Sequence, residues 1–137
     1  MNTIIIRLPT STKEIKVDDL HKLLRNKFEE ANIFLSDMTY KLCNPEDIKY
    51  FLSIDGTNRF EYEAESYDCD NFSYRLMGQF SIPEWATLCF GICWTDKHAL
   101  NFFIDEERKF WFVEPQNDSV QENLSSWQGN KVLLIMI

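Results

Sequence analysis

Glycine and proline are scarce, at four each, and no internal repeat or low-complexity stretch divides the 137 residues. Flexible linkers and a multi-domain layout are therefore not expected, and the chain reads as one domain with enough apolar content for a proper core. Basic residues are also in deficit: 14 Lys and Arg against 22 Asp and Glu leave a formal charge of −8. Non-specific nucleic-acid binding needs a positive footprint, so that class is set aside, and basic partners or none are the expectation. No apolar run approaches the ~18 residues of a membrane span, and the opening Met-Asn-Thr-Ile-Ile-Ile is too short for a secretory leader. A cytoplasmic location without membrane contact is thus the default. Four cysteines in such a compartment are expected to stay free.

What the chain does have is aromatic bulk, with eleven Phe, five Tyr and four Trp. It also has one stretch, Tyr67-Asp68-Cys69-Asp70-Asn71-Phe72, that reads as the opening turn of a helix with a thiol at its tip. Phe72, Leu76 and Phe80 recur with helical period after Cys69, so the thiol shares the apolar face. Asp68 is a fitting N-cap, because a short carboxylate accepts from the free N–H groups of the first turn. Those N–H groups make the helix end electropositive and favour thiolate, which marks Cys69 as a candidate nucleophile. Against this stands the plainer reading of a small packed residue.

Earlier in the chain, residues 3–8 form a short β-type run stopped by Pro9. Asp18 then caps a helix carrying Leu20, Leu23, Leu24, Phe28 and Ala31 on one stripe. Asn44-Pro45-Glu46-Asp47 is a helix start, with Asn as cap, Pro at the first position and acids in the first turn. From Trp85 the pattern changes to strands over 85–94, 98–104, 109–113 and 132–137, with a turn at Asp105-Glu106-Glu107-Arg108. Helices first and an antiparallel sheet afterwards is the α+β order.

A hairpin turn centred near Glu106 sets His98 opposite Glu114, on the side shared by Leu100, Phe102, Phe110 and Phe112. An imidazole oriented by a carboxylate is the arrangement of a general base. Cys69, His98 and Glu114 follow the chain order of cysteine hydrolases with papain-like or transglutaminase-like folds.

Tyr-Asp-Cys-Asp-Asn-Phe at 67–72, His-Ala-Leu-Asn at 98–101 and Glu-Pro-Gln at 114–116 resemble the papain-like cysteine protease domains of mushroom chimerolectins. The Marasmius oreades agglutinin carries one at its C-terminus, and small bacterial and phage domains are related to it. The resemblance covers residues 38–137 and leaves 1–37 as an N-terminal extension of the single domain. It implies a papain-like fold and a peptidase cleaving a peptide or isopeptide bond, with Cys69 as nucleophile, His98 as base and Glu114 as orienting acid. It also implies calcium, for which Asp68 and Asp70 are the candidate ligands. Asn71 stands where the family pattern has a second acid, which weakens that implication.

Other constellations are less specific. Gln116 and Asn71 are candidate oxyanion or substrate donors beside the Cys69 N–H. Cys89 and Cys93 with Cys69 and His98 make a zinc set on paper, but i, i+4 on a strand is not the knuckle spacing and core packing is favoured. The class competing with a hydrolase is a binding or structural module that keeps the fold without turnover.

Overall fold

The computed structural model describes residues 6–137. The run over 3–8 therefore lies partly outside the described residues, and residues 6–8 are not in a strand. The first elements are β1 (Glu14–Lys16), α1 (Val17–Lys27), β2 (Asn32–Phe34), β3 (Thr39–Lys41), α2 (Pro45–Ile54) and α3 (Cys69–Phe80). Then come β4 (Phe90–Thr95), β5 (Ala99–Ile104), β6 (Phe110–Glu114), β7 (Ser119–Gln121) and β8 (Val132–Met136). This is a mixed α/β fold, as the pattern predicts. Strands β1 and β3 form a two-stranded ribbon, and the other six form one sheet in the order β2-β8-β4-β5-β6-β7.

The sheet is antiparallel except at one edge, where β2 runs parallel to β8. The expectation of a wholly antiparallel sheet is corrected there. Three-residue strands such as β2 carry too little alternation to be read from sequence.

The sheet is covered on both faces. On one face Leu20 and Leu24 of α1 pack with Leu100, Phe102, Phe110, Phe112 and Ile135. On the other, Ile48, Phe51 and Leu52 of α2 and Leu76 and Phe80 of α3 pack with Phe90, Phe103 and Val113. Strand β5 is buried at all six positions. Its continuous apolar run, Ala-Leu-Asn-Phe-Phe-Ile, is what a strand needs when both its faces are covered.

Two helix starts differ from one another in kind. Asn44 caps α2 as expected, its side chain accepting from the Glu46 N–H at 3.0 Å, with Pro45 at the first position. Helix α1 instead follows directly on β1, with extended Lys16 at the cap and no side-chain bond. Asp18, expected as cap, sits with Asp19 in the first turn, where both still favour the positive end of the helix. The strand expected from Trp85 starts later, because Trp85–Thr87 forms a 3-10 turn before β4.

Candidate functional site

Helix α3 presents Cys69 as its first residue, capped by extended Asp68. The Asn71 side-chain oxygen turns back to accept from the Asp68 N–H at 3.2 Å, which satisfies a donor at the helix entry. Ser73 Oγ donates to the Cys69 carbonyl at 2.9 Å. Buried Asn101 in β5 donates to the Ser73 carbonyl at 3.0 Å and to the Gly91 carbonyl at 3.2 Å. One polar chain thus pins the first turn of α3 to the middle of the sheet.

The β5–β6 register is Asn101↔Val113, Phe102↔Phe112, Phe103↔Trp111 and Ile104↔Phe110. These numbers sum to 214, not 212, so the turn is centred one residue later than expected. Asp105 is the reason: its side chain accepts from the Glu107 and Lys109 N–H groups, and Arg108 takes a left-handed φ of 62°. A shift of two keeps every side chain on its face. His98 and Glu114 become diagonal neighbours and still meet, His98 Nε2 to Glu114 Oε1 at 2.7 Å.

This pair belongs to a larger buried network. Gln128 Nε2 donates to the same Glu114 Oε1 at 3.0 Å. The Gln128 Oε1 accepts from the Ser125 N–H at 2.8 Å and from Gln121 Nε2 at 2.5 Å, while its carbonyl accepts from Thr95 Oγ1 at 2.5 Å. Gly129 follows at φ 129°, where an added Cβ would strike the Thr95 side chain. Glu114 and Gln128 are fully buried, and His98 nearly so. Over the imidazole lies Trp127, 55% exposed, with ring centroids 4.9 Å apart at 60°. Sequence reading missed Gln128 and Trp127. They sit in an irregular segment with no periodicity, and only the local Ser-Trp-Gln-Gly composition marks a turn there.

The remaining expected residues fall as follows. Gln116 lies in the turn after β6, its N–H 3.4 Å from Glu114 Oε2. Asp68 and Asp70 flank Cys69, and Asp70 titrates above its ordinary range, chiefly because it shares a hydrogen bond with Asp68. Two carboxylates supply only part of the six or more oxygens that calcium takes. Among the described residues no three His, Cys, Asp or Glu side chains gather as a metal site. Cys89 and Cys93 are buried in the core on the α1 side, burial pushing both thiols far up, so the zinc set does not assemble. All four cysteines are free.

Cys69 and His98 share no hydrogen bond in this structure, and the topology shows how they are placed. Helix α3 runs beside β5 in the same direction, Ser73 against Asn101 and Leu76 and Phe80 near Phe103. Cys69 and His98 therefore lie at the same end of the sheet. Alternation along β5 aims Asn101 and Phe103 at α3, and His98 directly precedes the strand.

No family model matches the chain, and no curated protein matches it. Solved structures do. One, of PSL1a in complex with E64, has a TM-score of 0.78 at 21% identity over 90% of this chain and 50% of its own. Another, of the Polyporus squamosus lectin bound to the epitope Neu5Aca2-6Galb1-4GlcNAc, has a TM-score of 0.72 at 19% identity over 90% and 49%. At these identities the likeness is one of fold, and the chain spans about half the length of each structure it matches. The expected kinship with mushroom cysteine protease domains, and with it the peptidase reading of Cys69, His98 and Glu114, is corrected by these matches. The chain shares its fold with both structures.

Proposed function

We propose that this chain is a ligand-binding module without turnover, its ligand seated at the end of the sheet that carries His98, Trp127 and the first turn of α3. The observation that carries the reading is Trp127, an exposed ring laid over a buried His98–Glu114–Gln128 network. Exposing an indole costs solvation unless a partner covers it, and the fixed network beneath offers directed polar contacts. Glu114 holds the imidazole in one orientation, so a ligand meets a preset donor or acceptor and little order must be created on binding. One structure of like fold supports the reading, being a complex with a sialylated trisaccharide.

The test is titration of tryptophan fluorescence with that trisaccharide, on the wild-type chain and on Trp127→Ala. The trisaccharide should saturate the signal, lose about tenfold or more in affinity in Trp127→Ala, and be recovered chemically unchanged. A cleaved product would sink the reading, as would unaltered affinity in Trp127→Ala.

A further inference from the structure

Three cavities lie along the end of α1, with volumes of about 400, 450 and 510 Å³, and Lys27 lines all of them. Asn26 is shared by the first two, Asn123 by the first and third, and Asn130 by the last two, so they form one groove. Its floor is Phe28, half-buried, with ring centroids 4.9 Å from Phe110 and 6.5 Å from Phe112. At the far end Ser126 and Gly129 line the third cavity. Trp127 stands between those two residues, so the groove runs into the turn that carries the exposed indole.

The charge of this groove runs against that of the chain. Four cations, Lys27, Arg108, Lys109 and Lys131, line it against three acids, Glu29, Glu30 and Glu122, whereas the whole chain carries −8. Two of the acids are already matched, Glu122 by Lys109 at 2.5 Å and Glu30 by Lys131 at 3.1 Å. Lys27 belongs to no ion pair among the described residues, and its ammonium lies 5.7 Å from the Phe28 ring and 6.0 Å from the Phe110 ring. The carbonyls that follow α1 would repel an anion, but Arg25 turns onto them, donating to Glu29 at 2.7 Å and Ala31 at 2.8 Å. An anion is therefore favoured at Lys27.

We propose that this groove continues the Trp127 site and that its ligand is an acidic oligosaccharide, with a carboxylate seated at Lys27. The inference rests on the binding reading above and adds the chemical class of the ligand. A sugar ring presents apolar C–H faces within a rim of hydroxyls, so it needs an aromatic surface with amides beside it. Phe28 supplies the surface. Asn26, Asn123 and Asn130 are exposed, and each amide donates and accepts at once, as hydroxyls require. The Lys27 ammonium, held over the aromatic floor, then selects a sugar that bears a carboxylate. A nucleic acid is disfavoured, because a chain of charge −8 offers no extended positive footprint for a phosphate backbone.

The experiment titrates the tryptophan fluorescence of the full chain with Neu5Aca2-6Galb1-4GlcNAc and with Galb1-4GlcNAc, which lacks the acidic residue. At low salt the trisaccharide should bind on the order of fivefold more tightly than the disaccharide, and added NaCl should narrow the gap. Lys27→Gln should close the gap by weakening the trisaccharide alone. Lys22→Gln removes the same charge from an exposed position of α1 that lines none of the three cavities, and should leave the gap in place. Equal affinity for the two sugars, or equal effects of Lys27→Gln and Lys22→Gln, would overturn the groove. Trisaccharide binding that is lost in Trp127→Ala but unchanged in Lys27→Gln would overturn it too, while leaving the Trp127 site standing. No saturable response to either sugar would overturn both.

Discussion

Glu114 is the residue on which most of the polar interior depends, and its two partners on Oε1 are not equivalent. His98 and Gln128 both reach that oxygen, at 2.7 Å and 3.0 Å. Removing Gln128 with Gln128→Ala takes away one hydrogen bond and leaves a cavity, for an expected loss of about 1–3 kcal/mol. His98→Ala removes the shorter of the two bonds to a fully buried side chain and opens a larger cavity, and about 3–5 kcal/mol is expected. Urea unfolding of both variants should rank them in that order. Equal losses would mean that the two partners on Oε1 contribute alike. Thiol accessibility gives a second check. Cys43, Cys89 and Cys93 are buried and Cys69 is half-exposed, so brief iodoacetamide treatment of the native chain should label Cys69 alone. Peptide mapping that found Cys43 or Cys89 labelled as fast would contradict the packing described for both core clusters.

Among the elements, β4 carries the closest backbone approach. Gly91 pairs with Phe102 in β5, and a Cβ placed on it would overlap the Met136 carbonyl of β8 and crowd the Ile137 side chain. A backbone oxygen cannot swing aside as a side chain can. Gly91→Ala is therefore expected to cost about 1–3 kcal/mol, despite the usual gain from replacing glycine in a strand. Gly78→Ala is the control, because nothing lies within 4 Å of the added carbon and α3 gains helix propensity. Thermal unfolding of the pair should move in opposite directions. At this scale the sequence was most legible where a local rule acts alone. Asn44-Pro45 opens α2 as read, and the cysteine helix begins at Cys69 as read, since cap chemistry is contained within four residues. It was least legible at β1, β2, β3 and β7, whose three residues each are strands only because a neighbour supplies the hydrogen bonds.

Taken as a whole, the molecule is a sheet with α1 on one side and α2 and α3 on the other, and the α1 side is held by a stack of phenylalanines. Phe110 contacts Phe102, Phe28 and Phe112 with ring centroids 4.9 Å apart in each case. Phe110→Ala should cost about 3–5 kcal/mol and loosen the end of α1 as well as β6. Hydrogen exchange would show it as faster exchange in both elements. Exchange confined to β6 would mean that α1 is held by β1 and β2 instead.

Composition, caps and periodicity determined the mixed α/β class, three helices, the main strands, and the face shared by His98 and Glu114. These depend on neighbours in the chain or on parity within one hairpin, and a register error of two leaves parity intact. Only the tertiary structure decided what surrounds that pair. Gln128 and Trp127 reach it from a turn whose position is set by Thr95 and Gly129, not by any local pattern. It also placed Cys69 and His98 at one end of the sheet, because α3 packs against the side of β5 that carries Asn101 and Phe103. Chain order could put a thiol, an imidazole and a carboxylate in sequence. It could not say which face of the sheet the helix would choose, since that depends on where α1, α2 and α3 bury their apolar stripes.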